Sequence, residues 1–335
     1  MKLVYPSAHM RHCPPCEIFN GNRDSHAEVP DRIEVINSAL SRMPGMRAIE
    51  PRRFPMLWVD AVHELSYISY LKASSRKSGG TYVYPSVFPY GQDQHTRQPV
   101  GMRGQYSFDM YTPVSESTYE AARGSAMAAL TAASLVMSGE TQSYALCRPP
   151  GHHAEYAKMG GYCYFNNAAI AANYLSTRGT VAVIDIDVHH GNGTQALLYH
   201  RRDVLMISIH GDPDTLFPYF TGRASEIGVG EGVGYNLNIP LPPRTKDRVY
   251  GNALRAAIAR IRAFSPSYLV VSVGYDAHVK DPIGGFALST PMFHRIGKEL
   301  SSLGIPTVYL QEGGYNIKTL GSIARAFTEG SVLSG

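Results

Sequence analysis

An α/β fold, built on a mostly parallel sheet with helices on both faces, is predicted by two features of the 335-residue sequence. From Ser117 onward, short runs of β-branched and small apolar residues alternate with helical segments, the signature of strands covered on both sides. Four of those runs also end in unusual polar segments, as expected where parallel strands deliver functional groups to one edge of a sheet.

In chain order, residues 1–5 read as a first strand, and residues 6–30 as a loop rich in His, Pro, Asn and Gly. A helix is predicted over 30–42. Residues 75–115 hold many Gly, Pro, Tyr and Gln but little periodicity, so they are expected to form an insertion that covers something or meets another subunit. An Ala-rich helix follows over 117–136, then a strand over 143–147, a helix over 167–175 and a strand over 180–186. Further strands are expected at 204–209, 237–239, 268–273 and 306–310, with helices at 247–264, 291–303 and 318–327. No internal repeat is present, and no linker divides the chain, so residues 1–335 are expected to form one domain.

The 31 basic and 27 acidic residues are scattered, which argues against a nucleic-acid stripe or a membrane-binding helix. The first residues lack the charged and then long apolar pattern of a secretory signal, and no apolar run is long enough to span a membrane, so a cytoplasmic location is expected. Four cysteines fit a reducing compartment. Cys13 and Cys16 form a Cys-Pro-Pro-Cys pair in a loop, without the strand-to-helix setting of a redox dithiol or a second pair to complete a zinc cage. Cys147 and Cys163 read as small core residues.

The polar segments are Arg148-Pro-Pro-Gly-His-His153, Asp187-Val-His189, Gly274-Tyr-Asp276 and Gln311-Glu-Gly-Gly-Tyr315. Each alone has a bland explanation as a capping residue, a turn or a surface tyrosine; together they supply metal ligands, a base and a phenol. Asp187 and His189 share strand parity and can reach one ion; with Asp276 they give three ligands and an open position, the pattern of a catalytic zinc. Residue types alone leave Fe²⁺, Co²⁺ and Mn²⁺ as alternatives. His152 and His153 offer one or two proton-transfer groups, with Asp185 and Asn192 as partners of different charge. Tyr315, after two glycines, can donate a hydrogen bond to a developing oxyanion. His190, of opposite parity to His189, reads as a packed, hydrogen-bonded neighbour. The implied reaction is metal-assisted hydrolysis of an amide.

Arg148-Pro-Pro-Gly-His-His153, Gly160-Gly-Tyr-Cys-Tyr-Phe-Asn-Asn167, Asp185-Ile-Asp-Val-His-His-Gly-Asn-Gly-Thr-Gln195 and Glu312-Gly-Gly-Tyr315 resemble in order and spacing the motifs of the histone deacetylase superfamily, and within it the bacterial acetylpolyamine amidohydrolases. The resemblance covers nearly the whole chain. It implies an arginase/deacetylase-like fold, zinc on Asp187, His189 and Asp276, His153 as general base and acid, His152 as electrostatic support and Tyr315 as carbonyl polariser. It further implies a potassium ion near Asp185, Asp187, His189, Ser208 and Ile209, and a second near Leu198, Arg201, Val204 and Tyr235. Tyr162 and Phe217, with Gly161, match the walls of a narrow acyl-chain tunnel, although core packing explains such rings equally well. Glu17, Gly21, Glu28, Val29 and Pro30, with the 75–115 insertion, look like the amidohydrolase branch, whose insertion helps form a homodimer and favours small acetylated amines. Arg103 departs from that pattern: it stands where some members carry an acid that attracts the polyamine, with Glu17, Asp109 and Glu116 as possible substitutes.

The resemblance therefore implies a zinc-dependent hydrolase of acetylpolyamines, with acetyl-lysine peptides or other small amides as alternatives. A rival of the same class is a two-manganese ureohydrolase, which would need more carboxylates after these strands. A non-catalytic binding module would be expected to lack the tyrosine or a histidine.

Overall fold

The computed structural model describes residues 1–88 and 96–332; part of the expected 75–115 insertion, residues 89–95, lies outside that description. The strands are β1 Lys2–Val4, β2 Glu17–Phe19, β3 Asn22–Asp24, β4 Arg47–Ile49, β5 Gln142–Ala145, β6 Val181–Asp185, β7 Val204–Gly211, β8 Asn236–Leu241, β9 Tyr268–Val273 and β10 Thr307–Gln311. The helices are α1 Asp31–Leu40, α2 Leu57–Asp60, α3 Leu65–Lys77, α4 Pro99–Gln105, α5 Thr118–Met137, α6 Asn167–Leu175, α7 Asn192–Leu198, α8 Asp247–Phe264, α9 Thr290–Ser301 and α10 Ile317–Val332.

Eight strands form one sheet in the order β4-β1-β5-β10-β9-β6-β7-β8, and every neighbouring pair is parallel. Successive strand residues serve opposite faces. In β6, Ala182 and Ile184 pack with α1, α8, α9 and α10, whereas Val181 and Val183 pack against α5, α6 and α7. The second face is lined by Ala128, Ala129, Ala132 and Ala133 of α5 and Ala168, Ala171 and Ala172 of α6, whose small side chains let helices approach closely. A third apolar cluster, including Tyr67, Leu71, Tyr119 and Ile170, joins α3 to the outer side of α5 and α6.

The four strands that end in polar segments, β5, β10, β9 and β6, are consecutive neighbours at the centre of the sheet. Because they run parallel, their carboxyl ends open on one edge, where an active site is expected in such folds. The short antiparallel hairpin β2–β3 stands apart from the main sheet. Within the insertion, Val83 and Val114 form an antiparallel bridge and α4 adds one short helix, so the stretch is less irregular than its composition predicts.

A buried ion cluster ties these loops to the body. Glu28 Oε1 accepts from Arg32 Nη1 and Arg148 Nε, both at 2.7 Å, and all three side chains are inaccessible to solvent. Arg148 also donates to the carbonyls of His9 and His12, and Arg32 to those of Glu312 and Gly314. Burial alone would raise the Glu28 pKa, but the two guanidinium charges outweigh it and hold the carboxyl down at about 2. Since the folded value lies below the unfolded one of about 4.3, the stabilisation is complete above that pH and is lost as pH falls through the folded value. Glu28→Gln should destabilise the protein by roughly 3 kcal/mol or more near neutrality, because two charges stay buried without their counterion. Urea denaturation of both proteins checks this: the gap between them should narrow as pH drops from about 5 towards 3, and a constant gap would contradict the account.

Candidate active site

Asp187, His189 and Asp276 converge, each offering an atom within 4.8 Å of the others. Asp187 and His189 follow β6 with one residue between them, and Asp276 follows the neighbouring β9. His189 Nδ1 lies 3.1 Å from Asp187 Oδ1 and 3.3 Å from Asp276 Oδ2. Asp276 Oδ1 accepts from the Val188 amide and Asp187 Oδ2 from the Gly313 amide, whereas Asp276 Oδ2 is buried without a hydrogen-bond partner.

This donor set fits a divalent cation. Two carboxylates and an imidazole face one point, and an inward carboxylate oxygen lacks a protein donor. Desolvation and the neighbouring Asp187 charge raise Asp276 to about 7, a repulsion that a cation between them would relieve. His189 is pushed to about 10: burial opposes its charge, but Asp187 and Asp276 overcome that, so ligation there displaces a proton. The glycines after β9 and β10 allow the approach. A Cβ on Gly313 would fall 2.0 Å from Asp276 Oδ2, and one on Gly274 2.2 Å from Asp187 Oδ2.

The tandem histidines differ in their partners. His152 Nδ1 contacts Asp185 Oδ2 at 2.8 Å, and His153 Nδ1 contacts Asn192 Oδ1 at 2.7 Å. For His152, burial lowers the pKa, but the charges of Asp185 and Asp187 more than offset it and bring it to about 10. His153 is held well below the ordinary histidine value by burial and then by the charge of His152. The pair therefore divides into a cationic and a neutral ring 3.9 Å apart. With Nδ1 engaged by Asn192, His153 keeps Nε2 for the cavity.

A cavity of about 300 Å³ reaches this point, lined by His153, His189 and Tyr315 together with Glu17, Phe19, Tyr111, Gly161, Tyr162, Phe217, Pro282 and Ile283. Gly161 and Tyr162 both adopt left-handed backbone, with φ of +53° and +67°; a Cβ on Gly161 would meet His153 Cδ2 at 2.1 Å. Phe217 stands with its ring centroid 5.0 Å from that of His153. Burial keeps the Tyr315 phenol protonated, and its backbone N–H donates to Asp281 Oδ2 at 2.7 Å. An outer cavity of about 1130 Å³ adjoins the tunnel, bounded by the insertion and the loop carrying Phe217.

Arg103 sits on α4 with its charge felt by Tyr70; its neighbours Gly101, Gly104 and Gln105 line the outer cavity, whereas Arg103 itself is not among the lining residues of either cavity. Of the three acids considered in its place, Glu17 lines the inner tunnel while accepting from the Tyr162 hydroxyl and the Ala27 amide, Asp109 lines the outer cavity while accepting from Tyr111, Thr112 and the Gly161 amide, and Glu116 is not among the lining residues of either. His190 bonds to Thr221 and Gln195, as its parity implied. Cys147 and Cys163 are buried; Cys16 Sγ accepts from Arg23 and contacts the Tyr84 hydroxyl, and among the described residues neither Cys13 nor Cys16 joins a metal-binding group.

Several supporting residues were not found by sequence reasoning. Glu312 takes the Gly151 and His152 amides, Asp281 holds the Tyr315 backbone, and Phe19 and Tyr111 complete the aromatic wall. Only the Glu-Gly-Gly-Tyr spacing pointed towards Glu312; the other three stand in no motif.

The histone deacetylase domain family model matches residues 26–331. The chain is 39% identical to an acetylpolyamine amidohydrolase of Burkholderia pseudomallei, with 98% of each chain covered, and 37% identical to acetylpolyamine amidohydrolase 2 of Pseudomonas aeruginosa, with 96% of each covered. Among solved structures, an acetylpolyamine aminohydrolase from Burkholderia pseudomallei superposes with a TM-score of 0.95 at 38% identity, covering 100% of this chain and 99% of that one. With the family model spanning most of the sequence and relatives up to 39% identical over nearly its whole length, the chain belongs to the histone deacetylase family.

Proposed function

We propose that this protein is a metal-dependent deacetylase that hydrolyses the amide of N-acetylated amines, with acetylpolyamines as the leading substrates and zinc as the resident metal. The observation that carries the reading is the meeting of Asp187, His189 and Asp276 with His153 and Tyr315 around one narrow cavity. The relatives named acetylpolyamine amidohydrolases support the substrate class.

When bound by Asp187, His189 and Asp276, the metal supplies Lewis acidity toward water and the amide carbonyl. The neutral His153 takes a proton from the attacking water at Nε2 and returns it to the leaving amine. His152, cationic and anchored on Asp185, stabilises the negative charge that develops beside it. The Tyr315 hydroxyl donates to the carbonyl oxygen as that carbon becomes tetrahedral. Tyr162, Phe217 and Gly161 confine an extended methylene chain, and Glu17 places a carboxylate on the wall where a second nitrogen of a polyamine would pass as an ammonium.

Potassium is proposed near Asp185, Asp187, His189, Ser208 and Ile209, where β6 and β7 pair Asp185 opposite Ser208 and the donors are oxygens. A second potassium is proposed at the main-chain carbonyls of Leu198, Arg201, Val204 and Tyr235; those of Leu198 and Tyr235 each accept one backbone N–H and retain a lone pair. We also propose one deacetylase domain over residues 1–335 and a cytoplasmic homodimer. Phe88 and Phe220, 48% and 89% exposed beside the outer cavity, support self-association there. Among the described residues no helix is long and apolar enough to cross a membrane.

Tyr315→Phe should retain the metal and lower kcat by about a hundredfold or more, the loss typical of an oxyanion donor; metal analysis with steady-state kinetics on acetylputrescine checks it, and wild-type turnover would remove the assigned role. Gly313→Ala should fold yet lose metal, measured by elemental analysis, because its methyl occupies the approach between the two aspartates. Glu17→Gln should raise KM for acetylspermidine about tenfold and leave that for an uncharged N-alkylacetamide unchanged. Equal effects on both substrates would show that Glu17 does not read charge.

A further inference from the structure

We propose that Glu155 is a positioning residue for His153, acting through the amide of Asn192; this rests on the reading of His153 as the proton-transfer group. An asparagine amide can turn either end towards a neighbour, and nothing in the side chain selects one. Here Asn192 Nδ2 donates to Glu155 Oε1 at 2.9 Å and lies 3.4 Å from the His153 carbonyl oxygen. Both are acceptors only, so the NH₂ end must face them and the amide oxygen must face His153 Nδ1, 2.7 Å away. That oxygen accepts the Nδ1 proton and leaves Nε2 bare on the cavity side. The opposite amide orientation would demand an acceptor at Nδ1 and hence a proton on Nε2, a tautomer that cannot act as the base.

The backbone of Glu155 is fixed independently of this bond. His63 Nδ1 donates to the Glu155 carbonyl at 2.9 Å while His63 Nε2 accepts from the Asn166 amide at 2.8 Å, and the Glu155 N–H donates to the Lys158 carbonyl at 2.9 Å. Glu155 lines the outer cavity, not the tunnel, so it acts without touching the reacting atoms. The partner of His152 needs no such support, because Asp185 is an acceptor at either oxygen.

The test uses metal-loaded full-length enzyme with acetylputrescine. Glu155→Ala should lower kcat about tenfold to a hundredfold while leaving KM within about twofold, with metal content and melting temperature retained. Glu155→Gln should recover most of kcat, since its amide oxygen accepts the same bond. In an Asn192→Asp background, where no amide orientation remains to be chosen, Glu155→Ala should have little further effect. An independent readout is the ¹⁵N shift pattern of the His153 ring, expected to show the Nδ1–H form in the wild type and a mixture in Glu155→Ala. A Glu155→Ala enzyme with wild-type kcat, a Gln variant as impaired as Ala, or the same loss in the Asn192→Asp background would each overturn the inference. A wild type that hydrolyses no acetylated amine would instead overturn the functional reading beneath it.

Discussion

A single carboxylate, that of Glu28, sets the register of this site against the sheet. Isolated in the interior it would be costly, and so would each guanidinium beside it; only their mutual pairing makes the arrangement tolerable. The pairing has geometric consequences. Arg148 opens the loop that carries His152 and His153, and its remaining donors take carbonyls from the amino-terminal segment. Arg32 takes the carbonyls on either side of Gly313 and lies 4.6 Å from the centre of the Tyr315 ring, where the ring face attracts its charge. The histidine loop, the tyrosine loop and residues 9–12 are thereby referred to one point.

Beyond that cluster, the loops at the sheet edge hold one another by side chain to backbone bonds. Glu312 after β10 receives amides from the loop after β5, Asp187 after β6 receives the Gly313 amide, and Asp276 after β9 receives the Val188 amide. Each acid thus satisfies a buried N–H of another loop, and Asp276 keeps its Oδ2 available for a cation. Placing four such loops on consecutive strands makes this exchange possible at hydrogen-bond range.

Much of this was legible in the chain. The β6 run Val-Ala-Val-Ile-Asp announces a strand buried on both faces, and it is; the polar segments after β5, β6, β9 and β10 were assigned to one edge because parallel strands leave no other option. α3 escaped although it is 13 residues long, its alternation of Tyr, Ser and Lys giving a weak apolar stripe; the rest of what escaped was short or non-local. β4 is three residues on the sheet's outer edge, too brief for periodicity, and α7 begins at Asn192 directly after the glycine turn, where motif residues mask a helical pattern. The side to which α4 turns Arg103 could not be read from its sequence position. Asp281 serves Tyr315 across 34 residues, a contact that no local pattern encodes.

The hairpin of β2 and β3 pairs with itself and not with the main sheet, yet it brings Glu17 and Phe19 to the tunnel wall. Part of the tunnel wall therefore stands on a ribbon separate from the sheet, joined to the rest of the wall where the Tyr162 hydroxyl donates to Glu17 Oε1. Residues 18–24 can change in charge or length without altering a strand of the main sheet, so this side of the tunnel can be reshaped while the strand ends beside it stay fixed.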